Sequence, residues 1–288
     1  MPTNEERRAA AKRKLEQQLQ RQEQRARRQR LITIAGSVVA VVVAVAVVAY
    51  LVFANRDSEP TETAGPAAST AKAVEIEGVP EYVAPPDLGA NCQYPATAEK
   101  AAKPVNPPRS GKVPTEPALV SASMSTNQGN IGLMLDNGKA PCTVNNFASL
   151  SSQAYFDNTK CHRLTTAPEL SVLQCGDPTG TGAGGPGYQF GNEYPTNQYK
   201  PGDPKLGERV TYPRGTVAMA HSPGQHNNGS QFFLVYRDSQ LPPDYTAFGT
   251  IDETGLATLD KIAAEGVAGG GFDGKPNLDV EITSIRLD

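Results

Sequence analysis

The stretch from Gly215 to Ile251 reads GTVAMAHSPGQHNNGSQFFLVYRDSQLPPDYTAFGTI. Its apolar runs Thr216–Ala220 and Gln231–Tyr236 are separated by a loop of Pro, Gly and Asn, and so read as two strands joined by a long turn. In the second run the two-residue period of a strand puts Gln231 and Phe233 on one face and Phe232 and Leu234 on the other. The latter pair suits a core. The former sets an amide beside a ring, which suits a site that holds an apolar group and grips the backbone around it.

Upstream, Ala118–Thr126 and Ile131–Leu135 alternate around Asn127-Gln128-Gly129-Asn130 and read as a β-hairpin. Asp136-Asn137-Gly138 makes a second turn. Pro141 then lies near the start of a helix over Thr143–Ser152, with Thr143 as its N-cap and Val144, Phe147, Ala148 and Leu150 as its apolar stripe. Cys161–Leu164 reads as a strand. The Gly-rich Gly176–Gly191 lacks the Gly-Lys-Ser/Thr ending and the following helix of a phosphate loop, and reads as a surface loop. Downstream, Leu256, Leu259, Ile262 and Ala263 fall at helical spacing, and Val280–Leu287 alternates as a closing strand. Many strands with two helices predict an all-β closed barrel capped at its ends.

The N-terminal part has a different character. Residues 1–30 carry ten Lys/Arg against four Glu, so the rest of a chain with 27 basic and 30 acidic residues is acidic. A basic head on an acidic body suits a membrane topology signal and argues against nucleic-acid binding, which favours a basic folded domain. Residues 31–54 contain no charge and are dominated by Val, Ala, Ile and Leu. As a helix they would cross a hydrocarbon core of roughly 30 Å. The positive-inside rule puts the N-terminus in the cytoplasm and the bulk of the chain outside. A cleaved signal peptide is the competing reading, against which the length of the run argues. Residues 55–117, dense in Pro, Ala and Thr, read as a semi-extended linker. Within it, Val74–Val83 and the segment around Cys92 are expected to lie in order against the folded domain over 118–288.

Cys92, Cys142, Cys161 and Cys175 are an even number in the part expected outside the cytoplasm, where disulfides persist. Their spacing leaves three connectivities open, with free buried thiols as the alternative. No metal is expected: there is no CxxC, and none of the three histidines sits at ligand spacing from a cysteine.

Several spaced motifs carry a family resemblance over Ala118–Asp288. Gly229-Ser-Gln-Phe-Phe-Leu234, with Ala218-Met-Ala220 before it and Ala247-Phe-Gly249 after it, resembles the signature of cyclophilins, the peptidyl-prolyl cis-trans isomerases. Cys161-His-Arg-Leu164, Leu173-Gln-Cys-Gly-Asp177, Gly180-Thr-Gly182 and Gly185–Phe190 resemble further segments of that family in the same order. The resemblance implies a closed eight-stranded antiparallel barrel capped by two helices, here preceded by a transmembrane helix and a Pro-rich linker. It makes the Cys161 and Cys175 segments neighbouring strands, hence a Cys161–Cys175 disulfide, which leaves Cys92–Cys142 to staple the linker to the domain.

The resemblance also assigns a site. Arg163 falls at the catalytic arginine, Gln174 and Gln231 at substrate-gripping amides, and Phe233 at the floor of a proline pocket walled by Val172 and Leu241. Ala220 and His221 fall at backbone contacts, and Tyr245 where a histidine is common. Read without the resemblance, Arg163 is a surface arginine paired with a carboxylate, and Phe233 is core. The pocket residue beside Val172 maps to Leu170 or Ser171. Gln240 falls where many members carry an aromatic lid, and the chain has no Trp, so weak binding of cyclosporin-type inhibitors is expected. Rotation about an X-Pro bond needs no nucleophile, metal or cofactor, so none is expected. The implied partners are Pro-containing secreted or envelope chains at the outer membrane surface of a bacterium. Two other readings compete: a cyclophilin-like module that binds Pro-containing segments with little catalysis, and a hydrolase using Ser230 or Ser222 with His221 or His226. The latter has no Gly-x-Ser-x-Gly elbow.

Overall fold

The computed structural model describes residues 73–222 and 227–288. The hairpin forms as read: β1 (Leu119–Thr126) and β2 (Gly129–Asp136) pair antiparallel around Asn127-Gln128. Helix α1 (Pro141–Ser152) follows, then the short strands β3 (Thr159–Lys160) and β4 (Arg163–Thr165) and the longer β5 (Ser171–Cys175). After the glycine loop come β6 (Val210–Tyr212), β7 (Thr216–Met219), β8 (Phe232–Arg237), β9 (Ser239–Leu241) and β10 (Ala247–Ile251). Helix α2 (Glu253–Ala264), β11 (Asp273–Gly274) and β12 (Glu281–Leu287) complete the chain.

The expected closed barrel of eight strands is corrected by the pairing. Ten strands run in the order β11-β4-β5-β8-β7-β10-β2-β1-β12-β3, and β6 pairs with β9 in a sheet of its own. The sheet ends on two-residue strands, β11 and β3, which do not pair with each other. The cause is local. After Asp238 the chain leaves the main sheet, and Ser239–Leu241 pairs with Val210–Tyr212, so two segments are diverted from the main ladder. Among the described residues no helix is long and apolar enough to cross a membrane. The basic segment 1–30 and the span expected over 31–54 lie outside the described residues.

The alternation read from Gln231–Tyr236 divides the molecule into two cores. Phe232 and Leu234 join Leu164, Leu173, Val217, Met219 and Phe248 on the side covered by α1 and α2. There the ring of Phe147 in α1 lies 5.4 Å from those of Phe232 and Phe248. Phe233 and Val235 join Val172, Ala218 and Ala247 on the other side, together with Tyr194, Tyr212, Val74 and Ile76. Each buried Leu, Phe or Val contributes about 1.5–3 kcal/mol, so a strand with apolar residues on both faces is held on both.

Val74 and Ile76 belong to a strap that runs from Ala73 to Pro117 along the domain. Glu77 pairs with Thr211, and the Val74 amide donates to Asp136 Oδ2 at 3.0 Å. Cys92 is bonded to Cys142 at the start of α1. Tyr94 packs edge-on against Tyr188 and Phe190, and Lys103 Nζ donates to the carbonyls of Ala154, Tyr155 and Asp157. A bridge closing 50 residues of chain lowers unfolded-state entropy by an amount worth about 4 kcal/mol. Cys161 and Cys175 form the second bridge.

Helix α1 starts two residues before the expected Thr143. Pro141 occupies its first turn and no side chain of the N-cap residue Ala140 caps it; a fixed φ and a missing N–H suit Pro to that place. The cap comes instead from Glu193, distant in sequence. Its carboxylate accepts from the Cys142 amide (3.0 Å), the Thr143 amide (2.8 Å) and the Thr143 hydroxyl (2.7 Å). Burial pushes the Glu193 carboxyl up to about 7, outweighing the three donors that pull it down. By contrast α2 is capped locally, Asp252 accepting from the Gly255 amide at 2.6 Å.

Glu193 therefore ties stability to pH with a defined sign. The unfolded chain releases this proton near 4.5 and the folded chain near 7. Stability is thus fully present below pH 4.5 and declines as pH rises toward 7, by up to about 1.4 kcal/mol per unit. Urea unfolding at pH 4.5, 6 and 7.5 is expected to show this decline, and Glu193→Gln to flatten it. Identical slopes in the two proteins would remove Glu193 as the cause.

Candidate active site

Strand register builds the site. Arg163 stands opposite Gln174 across β4/β5, Gln174 opposite Phe233 across β5/β8, Phe233 opposite Ala218 across β8/β7, and Ala218 opposite Ala247 across β7/β10. Residues directly opposite in antiparallel strands project from the same face. One row of the sheet therefore carries a cation, an amide, a ring and two small residues in sequence. Val172, two residues before Gln174, shares that face.

A cleft of about 850 Å³ opens over this row. All nine residues that the sequence assigned to a site line it: Arg163, Val172, Gln174, Ala220, His221, Gln231, Phe233, Leu241 and Tyr245. The ambiguity beside Val172 resolves onto Leu170, which lines the cleft, whereas Ser171 is buried and donates to the Ala167 carbonyl. Phe233 meets Tyr245 edge-on at 5.8 Å, and Tyr245 stacks on His221 at 4.6 Å. Gln240 is absent from the lining and donates to Thr211 Oγ1 at 2.8 Å.

The polar groups form a directed chain. Arg163 Nη1 donates to Gln174 Oε1 (3.0 Å), Gln174 Nε2 donates to Gln231 Oε1 (2.9 Å), and Gln231 Nε2 donates to the carbonyls of Gly182 (2.9 Å) and Gly184 (3.0 Å). Arginine only donates, so it sets the orientation of both amides. At its other edge Arg163 is gripped by Asp273, Nε to Oδ1 and Nη2 to Oδ2, each 2.7 Å. This bond raises the guanidinium further above its ordinary value and holds the Asp273 carboxyl below its own. Both readings of Arg163 thus meet in one residue, which lines the cleft and is paired with a carboxylate.

The glycine loop that receives Gln231 is shaped by Asp177, whose carboxylate accepts from the amides of Thr179 and Gly182, each at 2.7 Å. Burial pushes this carboxyl up and the loop donors more than offset it, leaving it below its usual range. Gly176 before it has φ +92°, and a Cβ there would stand 2.3 Å from the Ser230 carbonyl, so only glycine fits. The hydrolase constellation does not form among the described residues. Ser230 is buried and donates to the Gly176 carbonyl at 2.7 Å, and the ring nitrogens of His221 face the carbonyls of Ser222 and Asp244. His226 lies outside the described residues. No group of three or more His, Cys, Asp or Glu that could hold a metal gathers among the described residues.

Thr97, Glu99 and Lys100 of the strap also line the cleft, and the sequence did not point to them. They are delivered by backbone bonds to the glycine loop, Thr97 N to Gly187 O (3.0 Å) and Ala102 N to Gly185 O (2.9 Å). A Pro-rich composition hides such docking; the segment around Cys92, bonded to Cys142, was the signal nearest to it. Asp273 carried no signal, since its partner lies 110 residues away.

Residues 121–287 match the family model described as cyclophilin type peptidyl-prolyl cis-trans isomerase/CLD. The chain is 59% identical, over the full length of both, to a probable peptidyl-prolyl cis-trans isomerase B of Mycobacterium leprae. It is 66% identical to a protein of the same name in Mycobacterium tuberculosis, over 73% of this chain and 68% of that one. A peptidyl-prolyl cis-trans isomerase of Helicobacter pylori is 38% identical over 49% of this chain and 78% of its own.

The hydrogen-bond chain makes Gln231 the link between the arginine and the glycine loop. Gln231→Leu removes the acceptor of Gln174 and the donor to Gly182 and Gly184, an expected loss of about 1–3 kcal/mol. Urea unfolding measures that loss. Hydrogen exchange of the Thr179–Gly184 amides should quicken, and unchanged exchange would show that the loop stands without Gln231.

Proposed function

The chain belongs to the cyclophilin-type peptidyl-prolyl cis-trans isomerase family, and we propose that Arg163 carries its catalysis on polypeptides outside the cytoplasm. Its activity is the cis-trans isomerisation of X-Pro bonds. That rotation faces a barrier of about 20 kcal/mol set by amide resonance and takes tens of seconds unaided. Lowering the barrier requires the lone pair to be localised on the prolyl nitrogen while the twisted bond is held. No covalent intermediate is involved.

The observation that carries the assignment is the position of Arg163 one strand removed from the ring of Phe233, in the same row. Strand β5 lies between them, a separation of about 10 Å at about 4.8 Å per strand. The guanidinium already spans part of it by reaching Gln174, so a proline ring seated on Phe233, between Val172, Leu170 and Leu241, lies within reach of the long arginine side chain. Asp273 and Gln174 occupy three of its five N–H groups. Two remain to donate toward the prolyl nitrogen. Because arginine keeps its charge and its planar fork, the donor is ready before the bond twists, and it gains most when the nitrogen becomes pyramidal and basic. That preference for the twisted state is what accelerates a reaction. A millionfold enhancement corresponds to about 8 kcal/mol. A module that merely bound Pro-containing segments would need the apolar pocket and the amides, but no pinned cation aimed at the nitrogen.

The extracytoplasmic assignment is supported by the two disulfides, which persist in oxidising compartments, and by the uncharged run 31–54 behind a basic head. The clients are then secreted or cell-envelope chains with slow X-Pro steps, reached from the outer surface of the cell membrane. In intact cells an external protease is expected to cleave the domain and leave cytoplasmic proteins untouched. Protection until the membrane is lysed would reverse the topology.

Protease-coupled isomerisation of an X-Pro tetrapeptide by the oxidised full-length chain in detergent tests the role of Arg163. Arg163→Ala is expected to lower kcat/KM by about 10²–10³-fold, and equal turnover would take the role from it. In the same assay nanomolar cyclosporin is expected to leave turnover unchanged, since no aromatic residue occupies the position of Gln240. Inhibition at that concentration would show that the lid is dispensable.

A further inference from the structure

We propose that Asp273 is a positioning residue for catalysis, a carboxylate that fixes the guanidinium of Arg163 in the orientation the reaction needs. The inference rests on the catalytic role of Arg163. It starts from the register of β11 on β4, in which Asp273 faces Thr165 and Gly274 faces Leu164. Arg163 is two residues from Thr165, so Asp273 is its diagonal neighbour across the ladder, a separation long side chains bridge.

The contact is bidentate, with Nε and Nη2 each 2.7 Å from a different carboxylate oxygen. Two parallel bonds fix the plane of the fork as well as its position. The bond from Nη1 to Gln174 at 3.0 Å fixes it from the other side. Asp273 is itself held: the Thr166 amide donates to the Phe272 carbonyl (2.8 Å) and the Ala268 amide to the Lys275 carbonyl (2.8 Å), which closes a short hairpin against β4.

Stability is a poor reason for this pair. The side chains are 38% and 55% exposed, and ion pairs so exposed add little to folding. The effect falls on geometry. A free arginine would sample many rotamers at the mouth of the cleft, whereas catalytic donors must sit within about 0.5 Å and 10–20° of the productive arrangement. The carboxylate also draws on the positive charge. Orientation outweighs this, because the guanidinium stays protonated and two of its five N–H groups are left without a partner on a side chain that lines the cleft.

The test is the X-Pro tetrapeptide assay with the oxidised full-length chain, comparing Asp273→Ala, Asp273→Asn and Asp273→Glu in the parent and in an Arg163→Ala background. Asp273→Ala is expected to lower kcat about 10–30-fold with KM changed less than about threefold, and to shift the thermal midpoint little. Asp273→Glu restores most of the activity and Asp273→Asn a smaller part. In the Arg163→Ala background Asp273→Ala adds no further loss, because the two act as one unit. Activity of Asp273→Ala equal to or above the parent, or an equal further loss without Arg163, overturns the proposal. A loss confined to KM or not rescued by glutamate does the same. Full activity of Arg163→Ala alone would instead overturn the catalytic role of the arginine, so the two failures are distinguishable.

Discussion

Everything at this site depends on the register of four neighbouring strands. Arg163, Gln174, Phe233 and Ala218 reach one face because β4, β5, β8 and β7 are paired with these residues directly opposite one another. A slip of one residue in β8 would turn Phe232 and Leu234 toward the cleft and Phe233 into the helix-covered core. Burial on both faces opposes such a slip. The Phe147 and Phe156 rings pack on Phe232 from one side, and Val74, Ile76 and Tyr212 share the core of Phe233 and Val235 on the other.

On that frame the polar side chains are ordered by a donor that cannot reverse. Arg163 gives protons to Asp273 and Gln174, and the amides of Gln174 and Gln231 must then each present an oxygen toward the arginine and a nitrogen away from it. The chain of bonds ends on the carbonyls of a loop that Asp177 holds from within. An apolar pocket and a fixed cation lie side by side, and the buried Ser230 hydroxyl is committed to the Gly176 carbonyl. Such an arrangement lowers a rotational barrier and does not break a bond.

The strap from Ala73 to Pro117 shows how a Pro-rich stretch becomes part of a domain. Prolines do not prevent docking when the chain is stapled by Cys92–Cys142 and clamped by Lys103. Its apolar residues complete the second core, and Thr97, Glu99 and Lys100 extend the wall of the cleft. Glu193 plays the complementary part, reaching α1 from about 50 residues away to cap an end that carries no cap of its own.

The sequence by itself determined whatever is periodic or local. The alternation of Gln231–Tyr236 separated site from core, the 3.6-residue pattern found α2, and the spaced motifs singled out nine residues that now line one cleft. It also placed Leu170 or Ser171 beside Val172 without deciding between them. Tertiary structure decided what depends on partners distant along the chain. The main sheet ends on β11 and β3 without pairing between them, and β9 turns aside to β6, which no pattern within Ser239–Leu241 announces. Glu193 replaced Thr143 as the cap of α1, and Asp273 met Arg163, because folding brought distant carboxylates within 3 Å of those donors. Periodicity records which face a residue takes. Which groups meet across that face is set by the packing of the whole chain.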